Sequence, residues 1–464
     1  MQYQFPNDFF WGSAASAAQT EGAAFSYGKG ENIWDHWYKQ EPNRFFQGVP
    51  ATDASTFYKN YRSDIQLMKQ VNHNSFRTSI SWSRLIPTGT GEVNPLAVEF
   101  YNNVIDELIA QKIEPFICLF HFDMPMAMQK MGGFESREVV DAYAKYVETC
   151  FKLFGDRVKY WFTFNEPIVP VEGGYLYNFH YPNVVDFRRA ATVAYHTIIA
   201  HARAVQCFRK LNLPGKIGIV LNLTPSYPRS QNAPDLLASK RCDLLFNRSF
   251  LDPAVKGEYP QELVELLGQY EQLPKIESGD CDLIAQGKVD ILGINYYQPR
   301  RVQARLNAIN TDGPFMPEWF FDNYVMPGCK MNRHRGWEIY EKGIYDILIN
   351  LRDNYGNLPC YISENGMGVE GEEKFITDGQ VQDDYRIDFV KGHLKWVHRA
   401  IEEGSRCFGY HMWTFIDNWS WSNAYKNRYG FFRLDLATQQ RSLKKSGQWF
   451  AGVSKNNGFN EGEE

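Results

Sequence analysis

Eight short apolar runs, each closing on polar or aromatic residues, constrain this chain more than any other feature. They fall at 9–13, 75–80, 115–121, 160–165, 216–222, 289–295, 360–364 and 408–413. None has the apolar/polar alternation of a sheet with one wet face, so they predict parallel strands covered on both sides. The gaps carry helical patterns. The clearest joins Ile387, Val390, Leu394, Val397 and Ile401 on one face and stops near Gly404. Others run through Val98, Tyr101, Ile105 and Leu108, and through Val139, Tyr143, Tyr146 and Val147. Strand and helix in repeated alternation predict an α/β chain forming a single (β/α)8 TIM barrel over residues 1–464. The length beyond the roughly 250 residues of a bare barrel is placed in long loops at the C-terminal strand ends. The Pro- and Gly-bearing stretches 223–235 and 304–336 are read as two of them.

Composition narrows the partners. With 44% hydrophobic and 22% charged residues there is material for a large core, and a net charge of −5 offers no basic field for nucleic acid or anionic membrane. No uncharged apolar stretch approaches the length of a membrane span, about 18 residues or more. The first Lys or Arg is Lys29, and Pro6, Asn7 and Asp8 interrupt the early apolar residues, so no secretory signal is read and a cytoplasmic location is expected. The eight cysteines are scattered without a C-x-x-C pair and are expected to be reduced and mostly buried. The histidines form no metal-ligand spacing, since His196 and His201 stand five residues apart, off a shared helical face. No metal and no cofactor is expected. Association between copies of the chain is left open.

A barrel of this kind gathers its chemistry at the C-terminal strand ends. Those ends carry Arg77, His121, Asn165, Glu166, Asn222, Asn295, Tyr297, Glu364 and Trp413, a set rich in carboxylates, amides and aromatic rings suited to sugars. Glu166 follows the fourth run in TFNEP (163–167) and Glu364 closes the seventh in YISENG (361–366), so the two face each other across the mouth. Acetal hydrolysis needs a neutral acid at the leaving oxygen and a carboxylate on the other face; with a separation of about 5–5.5 Å the carboxylate attacks directly and configuration is retained. Glu166 is expected to be protonated at rest, raised by burial and by the Glu364 charge, while Arg77 keeps Glu364 ionised.

The segments FFWGSAASAAQTEGA (9–23), FRTSISWSRLIP (76–87), LFHFDMP (119–125), TFNEP (163–167), GINYY (293–297), YISENG (361–366) and WTFIDNW (413–419) together resemble glycoside hydrolase family 1 from end to end. The resemblance implies a retaining β-glycosidase acting on a small-molecule β-glycoside, with Glu166 as acid/base and Glu364 as nucleophile. It implies that Gln19, His121, Asn165 and Trp413 hold the glycone. Tyr297 matches the tyrosine that positions the nucleophile, Asn295 the amide beside it, and Trp337, in GWEIYEKG (336–343), the residue flanking the aglycone.

The same resemblance separates two branches. Family β-glucosidases carry a Glu two residues after D-N, where its carboxylate binds the outer hydroxyls; here that position is Ser420. The stretch from Ser420 to Tyr429 looks like the phosphate loop of the 6-phospho-β-glycosidases, because a carboxylate repels a 6-phosphate and a hydroxyl donates to it. The phosphate-gripping lysine of that branch would fall at Asn427, with Lys426 one place earlier. A one-residue shift in an extended segment turns a side chain to the other face, so Lys426 substitutes only if the loop is irregular. Trp421 matches the 6-phospho-β-galactosidases better. The chain as a whole favours the gluco enzyme, with galacto or dual activity next and an unphosphorylated glucoside after that. A non-catalytic carbohydrate-binding barrel is the remote alternative.

Overall fold

The computed structural model describes residues 1–462. Eight strands close into a barrel: β1 (Phe10–Ala14), β2 (Ser75–Ser79), β3 (Glu114–Cys118), β4 (Tyr160–Asn165), β5 (Lys216–Asn222), β6 (Ile291–Asn295), β7 (Cys360–Asn365) and β8 (Cys407–Trp413). They pair in parallel and in chain order, and β8 returns to β1. All eight expected runs are strands. The third is shorter than its apolar run because the ladder loosens after Cys118: Leu119 N–H still donates to the Phe162 carbonyl, and the Phe120 carbonyl then accepts from Asn165 N–H. The chain thus leaves the strand before His121.

The barrel is filled rather than hollow. Phe116, Cys118, Phe162, Val220, Ile291 and Tyr361 pack inside it, with Phe10, Tyr160 and Phe408 closing the lower end. Phe116 and Tyr160 stack at 4.4 Å between ring centroids. Aromatic rings supply large buried area with few rotatable bonds, which makes this interior a stiff base for the strand ends above. The helices wrap the outside as their spacing requires: Asp384–Glu402 buries Ile387, Val390, Leu394 and Val397, and Arg137–Phe154 buries Val139, Tyr143, Tyr146 and Val147. Ile401 and Val98, at the ends of two of the predicted stripes, are only half-buried. The termini meet below the barrel, where Gln2–Gln4 pairs antiparallel with Gly458–Asn460. No helix among the described residues is long and apolar enough to cross a membrane. Of the eight cysteines, all are free thiols, and only Cys281 is exposed.

The stretches read as loops carry more structure than expected. Ser226–Pro228, Arg300–Gln303 and Asp322–Asn323 form a small three-stranded sheet, and Met331–Asn332 pairs with Trp337–Glu338 in a hairpin. Strands of two to four residues leave no periodic signature, which is why the sequence did not display them.

A buried ionic cluster ties together the loops that follow β7 and β8. Lys444 Nζ lies 2.8 Å from Asp417 Oδ1 and also pairs with Glu372; Arg386 reaches Glu372 at 2.5 Å, pairs with Asp383, and donates to the Arg428 carbonyl at 2.9 Å. Asp417 in turn accepts from Gly430 N–H at 2.9 Å. Burial pushes the Glu372 carboxyl up, but Arg386 and Lys444 outweigh it and hold it down to about 2. A folded value below the unfolded one contributes stability that is present above the usual carboxyl range and is lost as pH falls toward 2. Lys444→Met, which takes a buried cation from two carboxylates and leaves Asp417 without an ion-pair partner, is expected to cost about 3–5 kcal/mol. The check is a lower urea midpoint together with acid unfolding that begins at higher pH than in the parent chain.

Candidate active site

Strand ends β2, β4, β6 and β7 bring four polar side chains into one buried chain of hydrogen bonds. Arg77, on β2, is fully buried; its Nη1 donates to Asn165 Oδ1 at 2.6 Å and its Nη2 donates to Glu364 Oε1. A guanidinium can only donate. The Asn165 oxygen must therefore face Arg77, and the Asn165 Nδ2 is left to donate to His121 Nε2, 3.2 Å away. That bond places the imidazole hydrogen on Nδ1. Burial, and then the Arg77 charge, push His121 well below its usual range, so the ring is neutral.

Asn295, at the end of β6, donates from one Nδ2 to Asn165 Oδ1 at 3.1 Å and to Glu166 Oε1 at 2.8 Å. Glu166 sits just past β4, where the register breaks after Phe162, and its backbone has φ of 43°, in the left-handed region that non-glycine residues rarely adopt. Its N–H donates to the Val220 carbonyl at 2.8 Å, which anchors that turn. Because Oε1 accepts from Asn295, a proton on this carboxyl occupies Oε2. Burial first, and then the Glu364 charge, push the Glu166 carboxyl up to about 8, while Asn295 and Arg77 pull it down. A carboxyl raised to about 8 is suited to hold a proton at neutral pH.

Glu364 has the opposite surroundings. Its Oε1 accepts from Arg77 and its Oε2 from the Tyr297 hydroxyl at 2.7 Å. Both oxygens face donors, so each is held by a hydrogen bond from a different strand end. Two glutamates at one barrel mouth thus have contrasting surroundings, one raised by burial and bonded to a single amide, the other bonded to a guanidinium and a phenol. Gly366, two residues on, has no space for a side chain: a Cβ there would lie 2.2 Å from the Trp413 carbonyl oxygen, so glycine lets β7 leave the barrel against β8.

Around the pair the other expected residues are placed as follows. Gln19 is buried, accepts from Ser16 Oγ at 2.8 Å and donates to the Trp419 carbonyl at 2.9 Å. Trp413 packs with Ala14 and Tyr429, and Tyr297 lies against them. Trp337 is 5.5 Å from the Tyr297 ring. Trp421 forms an aromatic wall with Trp34, at 4.5 Å, and with His121, at 5.9 Å. Trp34, far away in sequence, was not singled out from the sequence; only its contact with Trp421 reveals it.

The segment 420–429 is irregular, with a 3-10 turn at Trp421–Asn423 and Ala424 at φ of 43°. Ser420 and Tyr429 are both buried, and among the described residues neither hydroxyl has a protein partner. Lys426 turns outward, half-exposed, 3.9 Å from Glu370 and 5.7 Å from the Phe46 ring. Asn427 turns inward and is buried, in contact with the hairpin 331–338 through Arg335 and the His334 carbonyl, each at 3.4 Å. Arg335 is a second residue the sequence reading passed over, although it stands two places before Trp337.

The chain belongs to a known class. The model of glycosyl hydrolase family 1 matches residues 1–459, and the chain is a member of that family. It is 64% identical, over 99% of both chains, to a protein of Bacillus subtilis named 6-phospho-beta-glucosidase GmuD. It is 36% identical to a 6-phospho-beta-galactosidase of Clostridium acetobutylicum over 97% of each. Among solved structures, the family 1 β-glucosidase from Thermotoga maritima superposes with a TM-score of 0.91 at 36% identity, covering 99% of this chain and 100% of that one.

Since Glu166 must be protonated to act as an acid, kcat/KM is expected to fall as pH rises through about 8. Asn295→Ala removes a donor that favours the charged form, so its alkaline limb is expected at higher pH than the parent's, read from a pH–rate profile.

Proposed function

We propose that the chain, as one catalytic barrel, is a retaining 6-phospho-β-glucosidase in which Glu166 is the acid/base and Glu364 the nucleophile. The observation that carries the reaction is the contrast between the two carboxyls: Glu166 is pushed up to about 8, while Glu364 is held between Arg77 and Tyr297. In the first step Glu364 forms a bond to the anomeric carbon as the bond to the leaving oxygen breaks, and the Oε2 proton of Glu166 passes to that oxygen. Esterified Glu364 no longer carries the charge that raises Glu166. The Glu166 carboxylate then takes a proton from water, whose oxygen displaces Glu364, and two inversions return the β configuration. Gln19, His121, Asn165 and Trp413 form the glycone side, with the amides and imidazole for hydroxyls and the indole for the C–H face. Trp337 flanks the aglycone.

The phosphate reading is supported by Ser420, which replaces a carboxylate, by the unpartnered hydroxyls of Ser420 and Tyr429, and by the name carried by the Bacillus subtilis relative. Trp421, which resembles the residue of the 6-phospho-β-galactosidases at that position, is the reason to keep the galacto epimer as a second specificity. A phosphorylated sugar is an intracellular metabolite, which agrees with a cytoplasmic enzyme.

On p-nitrophenyl β-glucoside and its 6-phosphate, kcat/KM is expected to favour the phosphate by at least about tenfold, since an anion in a hydroxyl- and cation-lined pocket gains charge-assisted bonds. Preference for the plain glucoside would reject the Ser420 reading. Glu166→Gln is expected to slow nitrophenyl substrates by about 10²–10⁴-fold, and less for a 2,4-dinitrophenyl leaving group that needs no proton. The first sugar released, followed by proton NMR, is expected to be the β anomer.

A further inference from the structure

We infer that Arg335 supplies the cationic contact to the substrate 6-phosphate, in place of the lysine that position 427 lacks. This assignment rests on the phosphoglycoside reading above. Two basic residues lie near Asn427, and their surroundings differ. Lys426 leaves the loop on its outer side, where Glu370 and the Phe46 ring hold it. Arg335 lies on the inner side, at the tip of the hairpin made by Met331–Asn332 and Trp337–Glu338.

The hairpin tip is built to aim that side chain. Asn332 Oδ1 accepts from His334 N–H at 3.1 Å, the Asn332 carbonyl accepts from Gly336 N–H at 2.9 Å, and Gly336 takes φ of +71° to close the turn. Asn332 Nδ2 donates to the Gly368 carbonyl at 3.0 Å, which joins the tip to the loop after β7. Gly368 in turn lies against Tyr429, so closely that a Cβ would fall 2.3 Å from the phenol Cζ. Asn427 completes the tie through the His334 carbonyl.

The guanidinium so placed is under-used by the protein. Its Cζ rests 4.2 Å from the Trp337 ring centroid, and Nη1 makes one long bond, 3.4 Å, to the neutral amide oxygen of Asn427. Its Nε is buried with no partner. Among the described residues no carboxylate lies within ion-pair distance of it, whereas Lys426, Arg386 and Arg301 all have one. A planar cation with open donors, resting over an indole and near enough to Tyr429 for its charge to bear on that phenol, suits a phosphate. Its charge is also the largest influence opposing burial at the Tyr429 phenol. Lysine at 427 would set a second cation against this one, whereas asparagine accepts a bond from it. The exchange of Lys for Asn at 427 is thereby explained by the charge arriving from another loop.

The test compares parent, Arg335→Met, Arg335→Lys and Lys426→Met on p-nitrophenyl β-glucoside 6-phosphate and on p-nitrophenyl β-glucoside. Arg335→Met is expected to lower the ratio of the two kcat/KM values at least tenfold, chiefly through KM for the phosphate, with Arg335→Lys recovering part of it. Use of the ratio cancels any loss from the Trp337 stack that both substrates share. A parent that prefers the phosphate while Arg335→Met keeps the parental ratio would overturn the role of Arg335 alone. So would a ratio that falls with Lys426→Met and not with Arg335→Met. A parent without phosphate preference would reject the substrate reading itself.

Discussion

The site depends on one buried guanidinium. Arg77 is removed from water on a strand in the middle of the barrel mouth, and such a charge is tolerated only where partners replace its hydration. Its partners are Glu364 and Asn165, and each carries the consequence further. Through Glu364 it holds one carboxylate in place. Through Asn165 it fixes an amide orientation, which fixes the His121 tautomer and shares the Asn165 oxygen with Asn295, the residue that holds Glu166. A single cation thereby organises both carboxyls without touching Glu166.

The stiffness beneath this arrangement comes from aromatic packing inside the barrel, whereas the pocket walls are made of loops with little regular structure. Those loops hold their shape through the Glu372, Arg386, Asp383, Asp417 and Lys444 cluster, which joins the turn after β7 to the segment running to Tyr429. Reaction and specificity therefore rest on different physics. The carboxyls sit on strand ends supported by the core, whereas Ser420, Asn427 and Tyr429 sit on loops held by buried charge.

This division explains which parts could be read in advance. Eight apolar runs without alternation have one economical solution, and strand ends β4 and β7 bring Glu166 and Glu364 to the mouth whatever the loops do. The third run overshot its strand because periodicity cannot tell Leu119 in a ladder from Leu119 beside one. The sheet through Ser226–Pro228 and the hairpin 331–338 stayed hidden for want of length. Lys426 and Asn427 were legible as an anomaly, but which of them faces inward depended on the turn around Ala424, a backbone detail that composition does not encode.

The sequence by itself determined the barrel, the pair of glutamates and the exchange of a carboxylate for Ser420, because strand pattern and side-chain chemistry are local properties. Only the tertiary structure decided that Asn295 holds Glu166, that Trp34 backs Trp421, and that Arg335, and not Lys426, bonds to the Asn427 side chain. Each of those depends on contacts between segments tens to hundreds of residues apart, where burial and opposing charge, and not the residue types alone, set what a side chain does.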